Sequence, residues 1–130
     1  MMDRRTFVAS SALLLVSGRL NATPRTRSEE RMFGVIGKIV ATSGNAEKLA
    51  QVLLDGSQGM EGCLSYIVAR DATEQDAIWV TEVWESEAAH RASLETPQVQ
   101  EAIAKGRPMI QEFGERFTTT PLGREGLVTR

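Results

Sequence analysis

Four stretches of the chain have the residue types and the two-residue periodicity of β-strands. These predicted strands are residues 32–42, 63–70, 77–84 and 113–120. The first carries apolar side chains on both faces, as expected of a strand covered on both sides. Within it, Gly34 and Gly37 are unusual, and they predict a bulge or the close approach of another group. A polar loop joins the second and third strands, which predicts an antiparallel pair.

Helical periodicity fills the two intervals between these strands. The first helix is predicted over residues 45–56, after a Ser-Gly-Asn turn signal. Ser86 caps the second helical stretch, and Pro97 interrupts it and starts a further helical piece as its first residue. The inward stripes predicted for the first helix and the last piece are Ala46, Leu49, Ala50 and Leu53, and Val99, Ala102, Ile103 and Gly106.

The resulting order, β-α-β-β-α-β, predicts a ferredoxin-like α+β fold with both helices on one face of a four-stranded sheet. The helices cover only one side, yet the strands carry apolar residues on both. The uncovered face therefore needs a partner, and a second copy of the chain supplies a matching sheet. We expect a homodimer with two sheets packed face to face.

The first 22 residues have the three parts of an export signal. Arg4-Arg5 precedes a short apolar stretch that ends in small residues, and the arginine pair resembles the twin-arginine motif. The alternative is a start codon assigned too early, with the true start near Met32. We predict a signal peptide over 1–22, a linker over 23–31, one domain over 32–121 and a tail over 122–130. The mature protein would be periplasmic or secreted.

Composition narrows the class of protein further. The chain has 130 residues, of which 42% are hydrophobic and 25% charged, so it forms one domain and is not disordered. One cysteine and one histidine argue against an intramolecular disulfide, a cysteine-rich zinc site and a multi-histidine metal site. Cleavage after Ala22 would leave 12 basic and 16 acidic residues (15 − 3 and 17 − 1), a net charge of −4. That balance argues against nucleic-acid binding through a basic face.

The third strand and the helical stretch after it carry a family resemblance. Residues 79–90 (WVTEVWESEAAH), 92–94 (ASL) and 102–110 (AIAKGRPMI) resemble the antibiotic biosynthesis monooxygenase family, in particular its quinol monooxygenase-like members. The resemblance implies a dimeric α+β barrel whose oxygenase members use molecular oxygen without flavin or metal. A quinol or phenolic substrate would lie between sheet and helices and, once deprotonated, supply the electrons. The pattern of the haem-degrading relatives is not matched, because residues 32–42 contain no asparagine and the sole histidine precedes Pro97.

Five residues are candidates for the site. His90 is the candidate general base, since its unperturbed pKa suits neutral pH; the alternative is a surface or capping histidine. The candidate substrate-binding residues are Trp84, Tyr66, Glu82 and Ser93. Glu82 lies on an apolar strand face, so it is either paired, with Arg70 as the candidate partner, or has a raised pKa. Trp84 and Tyr66 could equally be core residues.

Two functions therefore remain open at this point. One is a cofactor-independent monooxygenase that acts on a small aromatic substrate and molecular oxygen. The other is a non-catalytic binding domain of the same fold for a small apolar ligand or haem. Only the enzyme requires a proton acceptor that faces the pocket, so the orientation of His90 discriminates between them.

Overall fold

A computed structural model describes residues 31–123 and residue 125 of the chain, and the predicted element order is present there. The elements are β1 (Phe33–Ala41), α1 (Ala46–Gly56), β2 (Cys63–Arg70), β3 (Ala77–Trp84), α2 (Glu87–Ser93), α3 (Pro97–Gly106), a 3₁₀ turn (Arg107–Met109) and β4 (Ile110–Thr119). The predicted signal peptide lies outside the described residues, as do most of the predicted linker and tail.

The strands form one sheet in the order β2-β3-β1-β4, with every neighbouring pair antiparallel. This topology confirms the predicted ferredoxin-like α+β fold. β4 begins three residues earlier than predicted, at Ile110, because Ala41 pairs with Ile110 and the Thr42 N–H donates to the Met109 carbonyl. Pairing with β1 therefore starts as soon as the 3₁₀ turn around Pro108 ends.

Local capping starts the second and third helices where the sequence predicted. The Ser86 hydroxyl accepts a hydrogen bond from the Ala89 N–H at 3.0 Å, which satisfies one of the free donors of the first turn of α2. Thr96 caps α3 in the same way, and Pro97 occupies its first turn. The chain thus bends between α2 and α3 instead of continuing as one helix.

The buried core lies between α1 and one end of the sheet. Ala46 and Leu49 of α1 pack against Ala41 and Ile78. The inward stripe predicted for α3 is wrong at Ile103, which is 36% exposed. Consecutive helical residues are rotated by about 100°, and it is the neighbouring Ala102 that faces the first helix.

The two glycines of β1 fulfil the two roles expected of them. A Cβ at Gly34 would collide with the Thr119 hydroxyl of β4, so the strands approach closely there. The pairing of β1 with β4 shifts register between Gly37 and Ile39, which is the predicted bulge. A Cβ at Gly37 would meet nothing within 4 Å.

The sheet face away from the helices is partly apolar and open in the single chain. Ile67 is 55% exposed and Phe117 is 53% exposed, and Ile36 of β1 lies opposite Phe117. Trp79 also lies on this face, where its Nε1 donates to Asp71 at 2.7 Å. None of the described helices is long and apolar enough to cross a membrane.

Candidate active site

His90 faces the sheet and not the solvent. The capped start of α2 places it over the end of the sheet where Phe33 lies opposite Trp84. Its ring centroid is 5.4 Å from that of Phe33 and 5.5 Å from that of Trp84, the latter edge-on. The side chain is 12% exposed. His90 is therefore held in an aromatic setting with its ring directed inward.

Glu82 lies next to His90 on the same face of the sheet. It is paired with Val35 of β1 and with Tyr66 of β2, one step along from Trp84. Its Oε1 accepts a hydrogen bond from Trp84 Nε1 at 3.0 Å and lies 4.0 Å from His90 Nε2. The second distance is longer than a direct hydrogen bond. The two groups are thus close enough to interact electrostatically, but they do not form a direct hydrogen bond with each other.

The prediction that Arg70 pairs with Glu82 was wrong. Arg70 lies opposite Ile78, far along β3 from Glu82, and its guanidinium forms an ion pair with Glu47 of α1 at 3.1 Å. The other expectation for Glu82 was a raised pKa, and burial does raise the pKa of its carboxyl.

Burial sets the protonation states of these groups. It raises the pKa of the Glu82 carboxyl, against the opposing effects of the Trp84 hydrogen bond and the Arg116 charge. It lowers the pKa of His90 below 6.5, and the Arg116 charge adds to this, against the opposing effect of the Glu87 charge. Burial and the charge of Glu82 raise the pKa of Tyr66. At neutral pH, His90 is an uncharged base and Tyr66 keeps its hydroxyl proton.

Four of the five candidates, with Phe33, form what we call the His90 cluster: His90, Glu82, Tyr66, Trp84 and Phe33. Trp84 is 1% exposed and lies on the helix-facing side. Ser93 does not join the cluster through its hydroxyl, which donates to the His90 carbonyl at 2.6 Å. That bond is internal to α2.

In the described part of the chain, clefts lie on two sides of the second helical stretch. One, of about 210 Å³, is lined by Phe33 and Glu87 together with the end of β4. The other, of about 380 Å³, lies between residues 59–62 and the helices, and Ser93 borders it. Neither cleft is lined by His90, Glu82, Tyr66 or Trp84, and Phe33 is the one member of the His90 cluster that borders either of them.

Gly37 lies in the middle of β1, between the His90 cluster and the α1 core. The α1 core covers the end of the sheet at Ile78, and His90 covers the other end at Trp84. Between these ends, Gly37 of β1 has Val80 of β3 on one side and Arg116 of β4 on the other. The space where a side chain would stand on Gly37 is open. Sequence reasoning did not predict that Gly37 and Arg116 lie opposite each other, because only the strand register brings them together.

The arrangement suits proton transfer from an aromatic hydroxyl. An uncharged imidazole can accept the proton, a nearby carboxylate can stabilise the imidazolium, and a protonated phenol can donate to an oxyanion. Within residues 31–123, no group of three or more histidine, cysteine, aspartate or glutamate side chains is placed to hold a metal ion.

Comparison with known proteins gives matches over most of the described region. The family profile described as antibiotic biosynthesis monooxygenase matches residues 32–105. A crystal structure from Chloroflexus aurantiacus J-10-fl, provisionally named an antibiotic biosynthesis monooxygenase, is 49% identical with a TM-score of 0.72. The match covers 75% of this chain and 99% of that one.

Two further matches are more distant. A structure from Caulobacter crescentus CB15, with the same provisional name, is 24% identical with a TM-score of 0.61, over 75% of this chain and 94% of that one. An uncharacterized protein of Synechocystis sp. is 30% identical over 67 residues, 52% of this chain. The chain spans about half the length of that curated relative, 46% of it.

Proposed function

Because the chain belongs to the antibiotic biosynthesis monooxygenase family, we propose that it is a cofactor-independent monooxygenase that oxidises a quinol or phenol with molecular oxygen. In the proposed reaction, a ring C–H and a phenolic O–H each become a carbonyl group. The substrate gives up two hydrogens and four electrons. One oxygen atom ends in the new carbonyl and the other leaves as water, so no external reductant is required.

The orientation of His90 is the observation that supports this proposal. A capping or surface histidine would direct its ring to solvent, whereas His90 lies between Phe33 and Trp84 and is unprotonated at neutral pH. A base of this kind is what deprotonation of the substrate hydroxyl requires.

The neighbouring residues supply the other two requirements of the step. When His90 takes the substrate proton, the imidazolium forms 4.0 Å from the Glu82 carboxyl, which stabilises it. Tyr66, which lies opposite Glu82 on the adjacent strand, keeps its proton and can donate to the substrate oxyanion. The electron-rich anion then reacts with oxygen.

Oxygen uptake with a panel of quinols and phenols, with and without added haem, tests the proposal. We expect uptake without haem, and His90→Phe should slow it by at least about 100-fold, the usual scale for loss of a general base. Phenylalanine retains an aromatic ring between Phe33 and Trp84, so a loss of rate reports the missing base and not a cavity. Lys48→Ala, on the exposed surface of α1, is the control and should keep the wild-type rate.

Anaerobic binding separates the enzyme from the alternative. If His90→Phe binds substrate as tightly as the wild type and oxidises it as fast, His90 has no role in the reaction. If the wild type binds aromatic ligands and consumes no oxygen with any of them, the chain is a binding domain and not an oxygenase.

We further propose that the open face of the sheet pairs with a second copy. Exposed Ile67 and Phe117 on this face favour burial against an equivalent surface. Sedimentation of residues 31–125 should give twice the mass of one chain.

The companion proposal is export to the periplasm or the medium, which rests on the arginine pair and apolar stretch at the start of the sequence. Fractionation of cells expressing the full chain, compared with Arg4→Lys/Arg5→Lys, tests it.

A further inference from the structure

Arg116 is a charged side chain beside the open space of the candidate site. It lies on β4 directly opposite Gly37, on the helix-facing side of the sheet. Arg116 is exposed, and among the described residues no carboxylate oxygen lies within 4.0 Å of its guanidinium nitrogens, which is true of the exposed Arg91 and Arg107 as well. Arg116 therefore has a charge that no acidic side chain of the described part neutralises by direct contact.

The open space at Gly37 adjoins both Arg116 and the His90 cluster. Gly37 is two residues along β1 from Val35, the residue opposite Glu82, so it lies about 7 Å from that position. Its neighbour on β3 is the apolar Val80. An aromatic ring could lie over Gly37 with one edge toward His90 and the other toward Arg116.

We propose that Gly37 and Arg116 form a subsite that selects aromatic diols or phenols carrying a carboxylate. The ring lies over Gly37, the carboxylate pairs with the Arg116 guanidinium, and the reacting hydroxyl is directed to His90. A guanidinium matches a carboxylate in a two-bond geometry, which gives orientation as well as affinity. Only the placement of the reacting hydroxyl at His90 rests on the proposed function.

The electrostatics of the cluster agree with a role for this charge. Arg116 lowers the pKa of both His90 and Glu82, so its field reaches the groups that handle the proton. It also favours the anionic form of a bound phenol, which is the form that reacts with oxygen.

Two ligands and four protein variants test the subsite. The ligands are a naphthalene diol and its ring-carboxylated analogue, titrated by calorimetry without oxygen and then assayed for oxygen uptake. The wild type should bind the carboxylated diol about tenfold more tightly than the neutral one. Arg116→Gln should remove this preference by weakening binding of the carboxylated diol. Arg107→Gln, an exposed arginine in the 3₁₀ turn, should keep the preference.

Gly37→Ala and Gly37→Val probe the open space itself. A methyl group at this position meets no neighbour, so Gly37→Ala should fold normally and weaken binding of both diols. Gly37→Val should weaken it further. Unchanged binding in Gly37→Ala, verified to be folded by its circular dichroism spectrum, would overturn the placement of the ring.

The outcomes distinguish failure of the subsite from failure of the proposed reaction. If the protein consumes oxygen with the diols but binds both diols equally well, the subsite is overturned and the proposed oxygenase activity stands. Arg116-dependent preference in anaerobic binding, with no oxygen uptake, supports the subsite and removes the oxygenase. Absence of binding by either diol overturns the subsite.

Discussion

Replacing Glu82 by glutamine tests the electrostatic coupling on which the proposed proton transfer depends. The substitution keeps the shape of the side chain and an oxygen that can accept from Trp84, and it removes the charge 4.0 Å from His90 Nε2. Two unit charges at this separation attract by about 4 kcal/mol at an effective dielectric constant of about 20, and by about 1 kcal/mol in bulk water. Both side chains are mostly buried, at 12% and 16% exposure, so the interaction is screened less than at the surface.

The smaller of these energies already gives a measurable effect. A loss of about 1 kcal/mol corresponds to about a fivefold weaker affinity of His90 for a proton. We therefore expect His90 in Glu82→Gln to titrate at lower pH than in the wild type, and kcat/KM to fall by at least about fivefold. Since burial and the Arg116 charge lower the pKa of His90, Arg116→Gln should move the titration in the opposite direction.

Nuclear magnetic resonance can read this titration without assignment, because the chain contains a single histidine. The chemical shift of the imidazole Cε1–H is followed against pH in the wild type, Glu82→Gln and Arg116→Gln. Glu95→Gln, an exposed glutamate just beyond α2, is the control and should titrate as the wild type does. If Glu82→Gln titrates at the same pH as the wild type or higher, the carboxyl does not stabilise the imidazolium and the proposed relay is wrong.

Three further predictions follow from the same geometry. The rate of quinol oxidation should stay level from neutral pH down past 6.5 and fall as the pH passes through the lowered pKa of His90, measured as kcat/KM against pH. Gly34→Ala should destabilise the fold by about 1–3 kcal/mol because its methyl group meets Thr119, while Gly37→Ala should stabilise it by about 0.5 kcal/mol, both measured by urea unfolding. Glu82→Gln should raise the melting temperature at neutral pH. The raised pKa of Glu82 means that the folded chain binds more protons than the unfolded chain above pH 4.5, so the wild type loses stability as the pH rises through that window and the variant does not. The advantage of the variant should vanish below pH 4.5, and an advantage that persists there would point to packing and not to charge.

The features that could be predicted from the sequence are those with local signals. The starts of α2 and α3 follow from Ser86 and Pro97, because an N-cap bond and the fixed φ of proline act within one turn. The inward direction of His90 is compatible with its position four residues after a cap, but the sequence left it open. Whether the ring of His90 meets Trp84 depends on how α2 crosses the sheet, which no local signal encodes.

The features that the sequence could not give depend on strand register. Glu82 and Arg70 both lie on sheet positions, and charge alone suggested that they pair. The register puts Tyr66 opposite Glu82, and Arg70 instead reaches Glu47 of α1. No local sequence pattern in β4 indicates a role for Arg116, since it lies opposite Gly37 only after β4 pairs with β1 across a bulge.

The missing side chain at Gly37, between two covered ends of the sheet, explains the proposed position of the substrate, while its neighbours Val35 and Val80 are themselves buried. Large side chains at Ile78 and Trp84 fill the space beneath the helices at each end, and burying them stabilises the fold. Between them, an absent side chain at Gly37 leaves room without costing a buried cavity lined on every side. The packing that excludes water from one edge of this space also holds His90 and Glu82, and their burial lowers the pKa of His90 and raises the pKa of Glu82. Filling the middle at Gly37 should thus separate the two properties: the fold gains stability while ligand binding is lost.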